Sequence, residues 1–377
     1  MNEVYITRLS KFLPNKPIDN DQMEEKLGKI DGKTSKARRI VLRNNKIKTR
    51  YYAIDDEGNV THNNAQLVSE AVELLCDANF KKEEIELLSC GTSSPDQILP
   101  SHASMVHGFL KNGNMEVNSP SGACNSGMNA LKYGYMAIMS NQFNNAVCAG
   151  SERMSSWMRS ELFTDEIEHL KDLEKAPILA FKKEFLRWML SDGAGAFLLE
   201  PKPNGNNPLK IEWMEGYSYA FELEACMYSG GDKLDSGFLK PWSEYTPEEW
   251  TENSIFAVKQ DVKLLSENIL VKGVNSLKSA IEKHGLKPED ITYYLPHVSS
   301  YYFRERLFEE MEKQGVNVPW ENWFMNLDKV GNIGAGSIYI MLEELVASGK
   351  LNKGDTILLS VPESARFSYT YACLTVC

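Results

Sequence analysis

One cysteine and two residues far from it in the chain could do chemistry together. Cys124 lies in "SPSGACNSGMNALKYGYM" (119–136), among small residues and at the start of an apolar helical run. Taken alone it reads as a packing residue at a tight helix start, because cysteine is among the most buried residue types. A thiol in the first turn of a helix is also a candidate nucleophile, since the positive end of the helix dipole favours thiolate near neutral pH. His297 ends the apolar stretch "YYLPH", where burial is expected to hold its imidazole neutral. Asn332 lies in "GNIGAGS" (331–337). A neutral imidazole and a carboxamide each offer a hydrogen-bond donor. Two fixed donors aimed at one point stabilise a developing enolate or oxyanion.

An internal repeat supplies the reason for these residues to meet. "LVSEAVELLCDANFKKEEIELLSCGTSS" (67–94) is matched by "VNSLKSAIEKHGLKPEDITYYLPHVSS" (274–300). Each reads as an amphipathic helix, a short turn, an acidic pair before Ile, an apolar run and Ser-Ser. Ile85 matches Ile291 and Ser94 matches Ser300 at one constant offset. A second pair follows in the same order, "GACNSGMNALKYGYMAIMSNQFNNAVCAGSE" (122–152) against "NIGAGSIYIMLEELVASGKLNKGDTILLSVPE" (332–363). In both, small residues open a helix and a polar turn leads to a strand. Each half thus reads helix–strand–loop–helix–strand, which implies an α/β layered fold with parallel neighbours. The halves are expected at about 1–202 and 208–377, divided at the Pro/Gly/Asn-rich "PKPNGNNP" (201–208). Residues 153–190 have no counterpart in the second half and read as a helical insertion. Ligands sit at the carboxyl ends of strands in α/β layers, so equivalent loops of the two halves would face each other. Cys124, His297 and Asn332 all fall on such loops.

The nearly all-round apolar helix after Cys124 belongs in an interior. A nucleophile at its head would be reached through a tunnel, which suits a substrate on a long flexible arm. The remaining histidines (His62, His102, His107, His169, His284) fit polar turns or helix faces and read as structural. Seven scattered cysteines without a CxxC argue against a disulfide framework or structural zinc and fit a reducing cytoplasm. No HExxH or carboxylate–histidine cluster points to a catalytic metal. No leader and no membrane span are expected, because no apolar run is long enough. The net charge of −11 disfavours nucleic acid as the main partner. One local exception is "KTSKARRIVLRNNKIKTR" (33–50), with eight Lys/Arg and no acid. It reads either as a solvated surface helix or as a landing site for phosphates or an acidic protein.

"SGACNSG" around Cys124, "SDGAGA" (191–196), "LPHVSS" around His297 and "GNIGAGS" around Asn332 together resemble the thiolase superfamily. Within it they resemble the β-ketoacyl-[acyl-carrier-protein] synthase III group. "GTSSPDQILPS" (91–101) and "IKTRYY" (47–52) add to the likeness, which spans nearly the whole chain outside 153–190. Other branches fit less well. Elongating ketosynthases use a second histidine, thiolases a second cysteine before a Gly-rich turn, and chalcone synthases a Gly-Phe-Gly-Pro-Gly signature.

The resemblance implies a thiolase-like α/β fold, its duplicated halves forming a five-layered α-β-α-β-α core. It implies an acyltransferase in which Cys124 takes an acyl group from a coenzyme A or carrier-protein thioester. His297 and Asn332 would stabilise the enolate of a malonyl or similar second thioester during Claisen condensation. Backbone N–H groups of Cys124 and Ala365 would form the oxyanion hole. Leu99 would cross a homodimer interface to line the partner's acyl pocket. Arg43, Lys48 and Arg50 would face the phosphates of CoA or phosphopantetheine, or an acidic carrier. No cofactor beyond the CoA or phosphopantetheine thioester substrates is implied. Val298-Ser299-Ser300 replaces the family's Gln-Ala-Asn, and Ser364-Ala365-Arg366 its Gly-Gly-Gly. These departures suggest a specialised lipid or polyketide enzyme. "HVSS" with "VPESARFSY" resembles the ketosynthases of dialkylresorcinol or flexirubin-type lipids, which join two β-ketoacyl thioesters into a cyclic dione. A thioester hydrolase, an acyl transferase or a non-condensing partner subunit on the same fold are the competing expectations.

Overall fold

The computed structural model describes residues 2–35, 38–160, 186–253 and 255–377. In chain order the elements that position the site are β1 (Tyr5–Phe12), α1 (Arg38–Asn45), α2 (Asn64–Glu73), β2 (Leu87–Thr92), α3 (His102–Leu110), β3 (Glu116–Asn118), α4 (Ser126–Met139), β4 (Ala146–Glu152) and β5 (Gly193–Glu200). The second half adds β6 (Leu209–Ser218), α5 (Val262–His284), β7 (Tyr293–Pro296), α6 (Tyr302–Gln314), α7 (Ser337–Ala347), β8 (Thr356–Glu363) and β9 (Ser368–Val376). Local sequence accounts for several ends. Asn63 and Gln66 form a reciprocal capping box before α2. Asp261 caps α5, which stops at Gly285 in the left-handed conformation.

The strands join in the order β7-β8-β9-β6-β1-β5-β4-β2-β3. Counted within its own half, each group reads third–second–fourth–fifth–first. The second half's third place is taken by a single parallel bridge between Tyr294 and Trp323. The seam is short: β1 meets β6 only through Tyr5–Lys210 and Ile6–Leu209. The pairs toward the two edges of the sheet, β2–β3, β2–β4 and β7–β8, are parallel. The expected parallel neighbours are found at those edges; the central pairs β4–β5, β5–β1, β1–β6, β9–β6 and β8–β9 are antiparallel instead. For β8 and β9 the reason is length. Only residues 364–367 join them, too few for the crossover that a parallel pair requires.

Strand alternation builds the layers. Ala146 and Cys148 of β4 join one apolar core with α4 and α7, while Val147 and Ala149 join another with α2 and α3. In the second half Ile357 and Leu359 face the α4/α7 core, and Leu358 faces α5 and α6. The result is the α-β-α-β-α stack, with α4 and α7 in the middle. Two glycines let that middle layer close. A Cβ on Gly127 or on Gly150 would each lie 2.2 Å from the Ala335 carbonyl oxygen.

Of the stretch 153–190 read as a helical insertion, 153–160 and 186–190 are described, with a 3-10 turn at Met154–Trp157. The rest lies outside the described residues. Among the described residues no helix is long and apolar enough to cross a membrane.

Candidate active site

Each of the three chemistry-bearing residues follows from the end of an element. Cys124 stands in the turn before α4, half-buried. Ser126 closes that turn, its N–H and hydroxyl both donating to Ala123 O (3.0 and 2.7 Å). His297 follows β7, and its backbone N–H donates to Ser360 O at 2.8 Å, so the β7–β8 ladder continues into the site. Asn332 is pinned on both sides. Its N–H donates to Met189 O (3.0 Å) and its carbonyl accepts from Ser191 N (2.9 Å). Its side-chain Oδ1 accepts from Gly334 N at 2.9 Å. That bond fixes the amide orientation and leaves the –NH2 as the free donor.

Cys124 lines two cavities. The larger, of about 880 Å³, also takes in Asn332, Ser364 and Ala365, with apolar walls that include Met154, Trp157, Leu190 and Phe303. The smaller, of about 70 Å³, is walled by His297, Pro296 and apolar residues of α5. The sulfur-bearing residue therefore shares one space with Asn332 and the other with His297. Burial lowers the His297 imidazole to about 4, so it is neutral at physiological pH.

The thiol differs from the sequence expectation. Burial, then the Glu363 and Glu152 carboxylates, push the Cys124 thiol above its ordinary value. The dipole argument fails for a local reason. Helix α4 starts at Ser126, and the amides of Ala123 and Asn125 already donate to Glu363 Oε2 at 2.9 and 3.2 Å. A carboxylate occupies the positive end that was assigned to the sulfur.

Glu152 was not singled out from sequence. Fully buried at the end of β4, its carboxylate accepts from Ser93 N, Ser93 Oγ, Ser94 Oγ and Thr92 Oγ1 of the first half. It also accepts from Ala335 N of the second half at 3.2 Å. It ties the loop after β2 to the turn that carries Asn332. Its place before a loop rich in hydroxyls was the available signal, but partners so distant in sequence hid it.

Ala365 lines the large cavity beside Cys124, and its carbonyl accepts from Cys226 N (2.8 Å) and Met227 N (3.2 Å), which holds the turn. Leu99 lines neither cavity of the single chain. It is 82% exposed at a loop tip beside Ile98, which is 72% exposed. Arg43 is exposed, next to Asn44 of the cavity wall. Lys48 is exposed and pairs with Asp328 at 3.5 Å. Arg50 is corrected from a surface phosphate ligand to an interior residue. It is wholly buried and donates to Asn20 Oδ1 (2.8 Å) and Trp188 O (3.1 Å). The apolar side chains around it, Ile47 and Tyr52 among them, pack against Trp188 and draw it inward.

Two family models match separate parts of the chain. Residues 89–204 match the family "Beta-ketoacyl synthase, N-terminal domain". Residues 281–374 match "3-Oxoacyl-[acyl-carrier-protein (ACP)] synthase III C terminal". Over 361 residues the chain is 25% identical to the β-ketoacyl-[acyl-carrier-protein] synthase III of Chlorobaculum tepidum, covering 94% of each chain. It is 28% identical over 289 residues to the enzyme of that name from Limosilactobacillus reuteri, covering 76% of this chain and 77% of the relative. Among solved structures, the tetronic acid condensing enzyme AbyA1 superposes with a TM-score of 0.77 over 99% of each chain at 19% identity, a likeness of fold. The chain belongs to the thiolase superfamily as a β-ketoacyl-[acyl-carrier-protein] synthase III-like ketosynthase, an acyl-transferring condensing enzyme.

Proposed function

We propose that this ketosynthase loads an apolar acyl group onto Cys124 and condenses it with a second thioester in specialised lipid or polyketide synthesis. The observation that carries the reading is the meeting of Cys124 with Asn332 in one apolar cavity of about 880 Å³ and with His297 in a second. A space of that size suits a ligand of many heavy atoms, which here means an acyl chain and the arm that delivers it. The donor is an acyl-CoA or an acyl carrier protein, delivered past exposed Arg43 and Lys48. In loading, the Cys124 S–acyl bond forms, the thioester C–S bond breaks and the thiol proton ends on the departing thiol. The Cys124 and Ala365 N–H groups stabilise the oxyanion. In the second step a malonyl thioester loses CO2, or a β-ketoacyl thioester its α-proton, and His297 and Asn332 donate to the oxygen of the enolate. The enolate carbon bonds to the acyl carbon as the acyl–sulfur bond to Cys124 breaks. The departing thiolate is reprotonated, by solvent after CO2 loss or by the α-proton. The exposed Ile98–Leu99 tip is covered by a second copy in a homodimer, and the site works in the cytoplasm.

A second reading is that two β-ketoacyl thioesters are joined into a cyclohexanedione. The replacement of the family's Gln-Ala-Asn by Val298-Ser299-Ser300 favours it, since Val298 and Ser299 line the cleft beside Cys124 and His297. Intact mass after incubation with acyl-CoAs of several lengths tests the first step. An acyl adduct absent from Cys124→Ala is expected, and no adduct with any donor sinks the reading. Malonyl or β-ketoacyl carrier is then added, and product mass separates condensation, cyclisation and hydrolysis. Asn332→Ala is expected to keep the adduct and lose the condensed product; equal loss of both steps would contradict its role.

A further inference from the structure

The hairpin of β8 and β9 begins on the pair Glu363–Ser368, and both residues of that pair grip the turn that carries Cys124. Glu363 Oε2 accepts from Ala123 N (2.9 Å) and Asn125 N (3.2 Å). Ser368 Oγ accepts from Asn125 Nδ2 at 3.2 Å. Room for the carboxylate comes from Gly122, where a Cβ would stand 3.3 Å from the same oxygen. The two amides flanking Cys124 are thus taken, and its own N–H is left to the sulfur and the cavity. Resting on the reading of Cys124 as the acyl acceptor, we propose that Glu363 is a positioning residue of the nucleophile, its carboxylate clamping the amides on either side of Cys124 and setting a negative charge beside the sulfur.

Two consequences follow, one geometric and one electrostatic. The clamp holds the turn in the conformation that presents the Cys124 N–H as an oxyanion donor. The charge opposes thiolate formation, in the same direction as burial. The resting enzyme then carries a thiol, which is slow toward oxidants and stray electrophiles. The proton leaves when the incoming thioester provides a departing thiolate to receive it. Other charged or titratable groups around the sulfur are Glu152 at the end of β4, His297 after β7 and Lys263 of α5 on the cavity wall. His297 is neutral far above its value of about 4. None of these is altered when Glu363 is changed, so a difference between variants reports Glu363.

The experiment is the rate of Cys124 alkylation by iodoacetamide from pH 6 to 10, read peptide by peptide because all seven cysteines are free. Wild type, Glu363→Gln and Glu363→Ala are compared. Both substitutions are expected to raise the rate about tenfold at every pH in this range, as lowering the thiol by about one pH unit would. Acyl transfer from acyl-CoA is expected to survive in Glu363→Gln, which keeps a carbonyl oxygen for the amides. It is expected to fall about tenfold or more in Glu363→Ala, which keeps none. Superimposable alkylation profiles in wild type and both variants would overturn the proposal. Absence of any acyl adduct in the wild type would instead sink the acyl-acceptor reading, while the alkylation profile still tests Glu363.

Discussion

Gly127→Ala is a test of how the two halves assemble one site. Gly127 lies in the first turn of α4, three residues beyond Cys124, and faces the turn that follows Asn332. The added Cβ would sit 2.2 Å from Ala335 O, whereas ordinary contact begins near 3.4 Å. Roughly 1.2 Å must therefore be found between α4 and the Gly334–Gly336 turn. That turn cannot move alone. Ala335 N is held by Glu152, and Gly334 N holds Asn332 Oδ1. A shift of this size at a catalytic group costs about 10²-fold in rate. Condensation, the step proposed for Asn332, is expected to fall by about that factor, and loading of Cys124 by much less. In stability, overpacking costs about 1–3 kcal/mol, offset by about 1 kcal/mol from replacing glycine within a helix. Gly108→Ala supplies the control, because Gly108 lies in α3 with no atom within 4 Å of a built Cβ. It should gain up to about 1 kcal/mol and leave both steps unchanged. Urea unfolding of both variants, with single-turnover loading and steady-state condensation, reads all of these. Condensation within twofold of wild type, at a stability equal to that of Gly108→Ala, would refute the account of the contact.

Two further outcomes concern the buried imidazoles and the exposed tip. His102 is buried with Nε2 3.2 Å from Ser151 Oγ, and burial lowers it to about 4. Its folded value lies below its unfolded one, so its contribution is present above about pH 6.5 and is lost as pH falls toward 4. The loss amounts to about 3 kcal/mol. His102→Gln should flatten the stability profile over that window by this amount in urea titrations, and an unchanged slope would disprove the assignment. Ile98→Asp combined with Leu99→Asp should turn a dimer into a monomer in sedimentation equilibrium, because charge replaces the most exposed apolar pair of the loop. A wild-type chain that sediments as a monomer at every concentration would remove the homodimer from the proposal.

What could be read from the sequence was set by how far apart the interacting residues lie. The two helix–strand units are local patterns, and their repetition was visible because the residues inside each unit are neighbours in the chain. The shared strand order of the halves, and the loops that bring Cys124, His297 and Asn332 together, follow from that repetition. The antiparallel central strands did not, since periodicity gives a strand its faces but not its direction. Arg50 misled for a similar reason. Its neighbours in sequence are basic, but its neighbours in space are Trp188 and Asn20, and the apolar side chains on either side of it decide its burial. The thiol is the most instructive case. A helix start beside a cysteine predicts a stabilised thiolate only while the first amides are free. Glu363 takes the amides of Ala123 and Asn125, just before the helix, from 240 and 238 positions away, and so sets a carboxylate where the sulfur was expected to gain from the dipole. Dipole arguments made from sequence hold for the isolated helix; in the folded chain burial first, and then the Glu363 and Glu152 carboxylates, act against thiolate at Cys124.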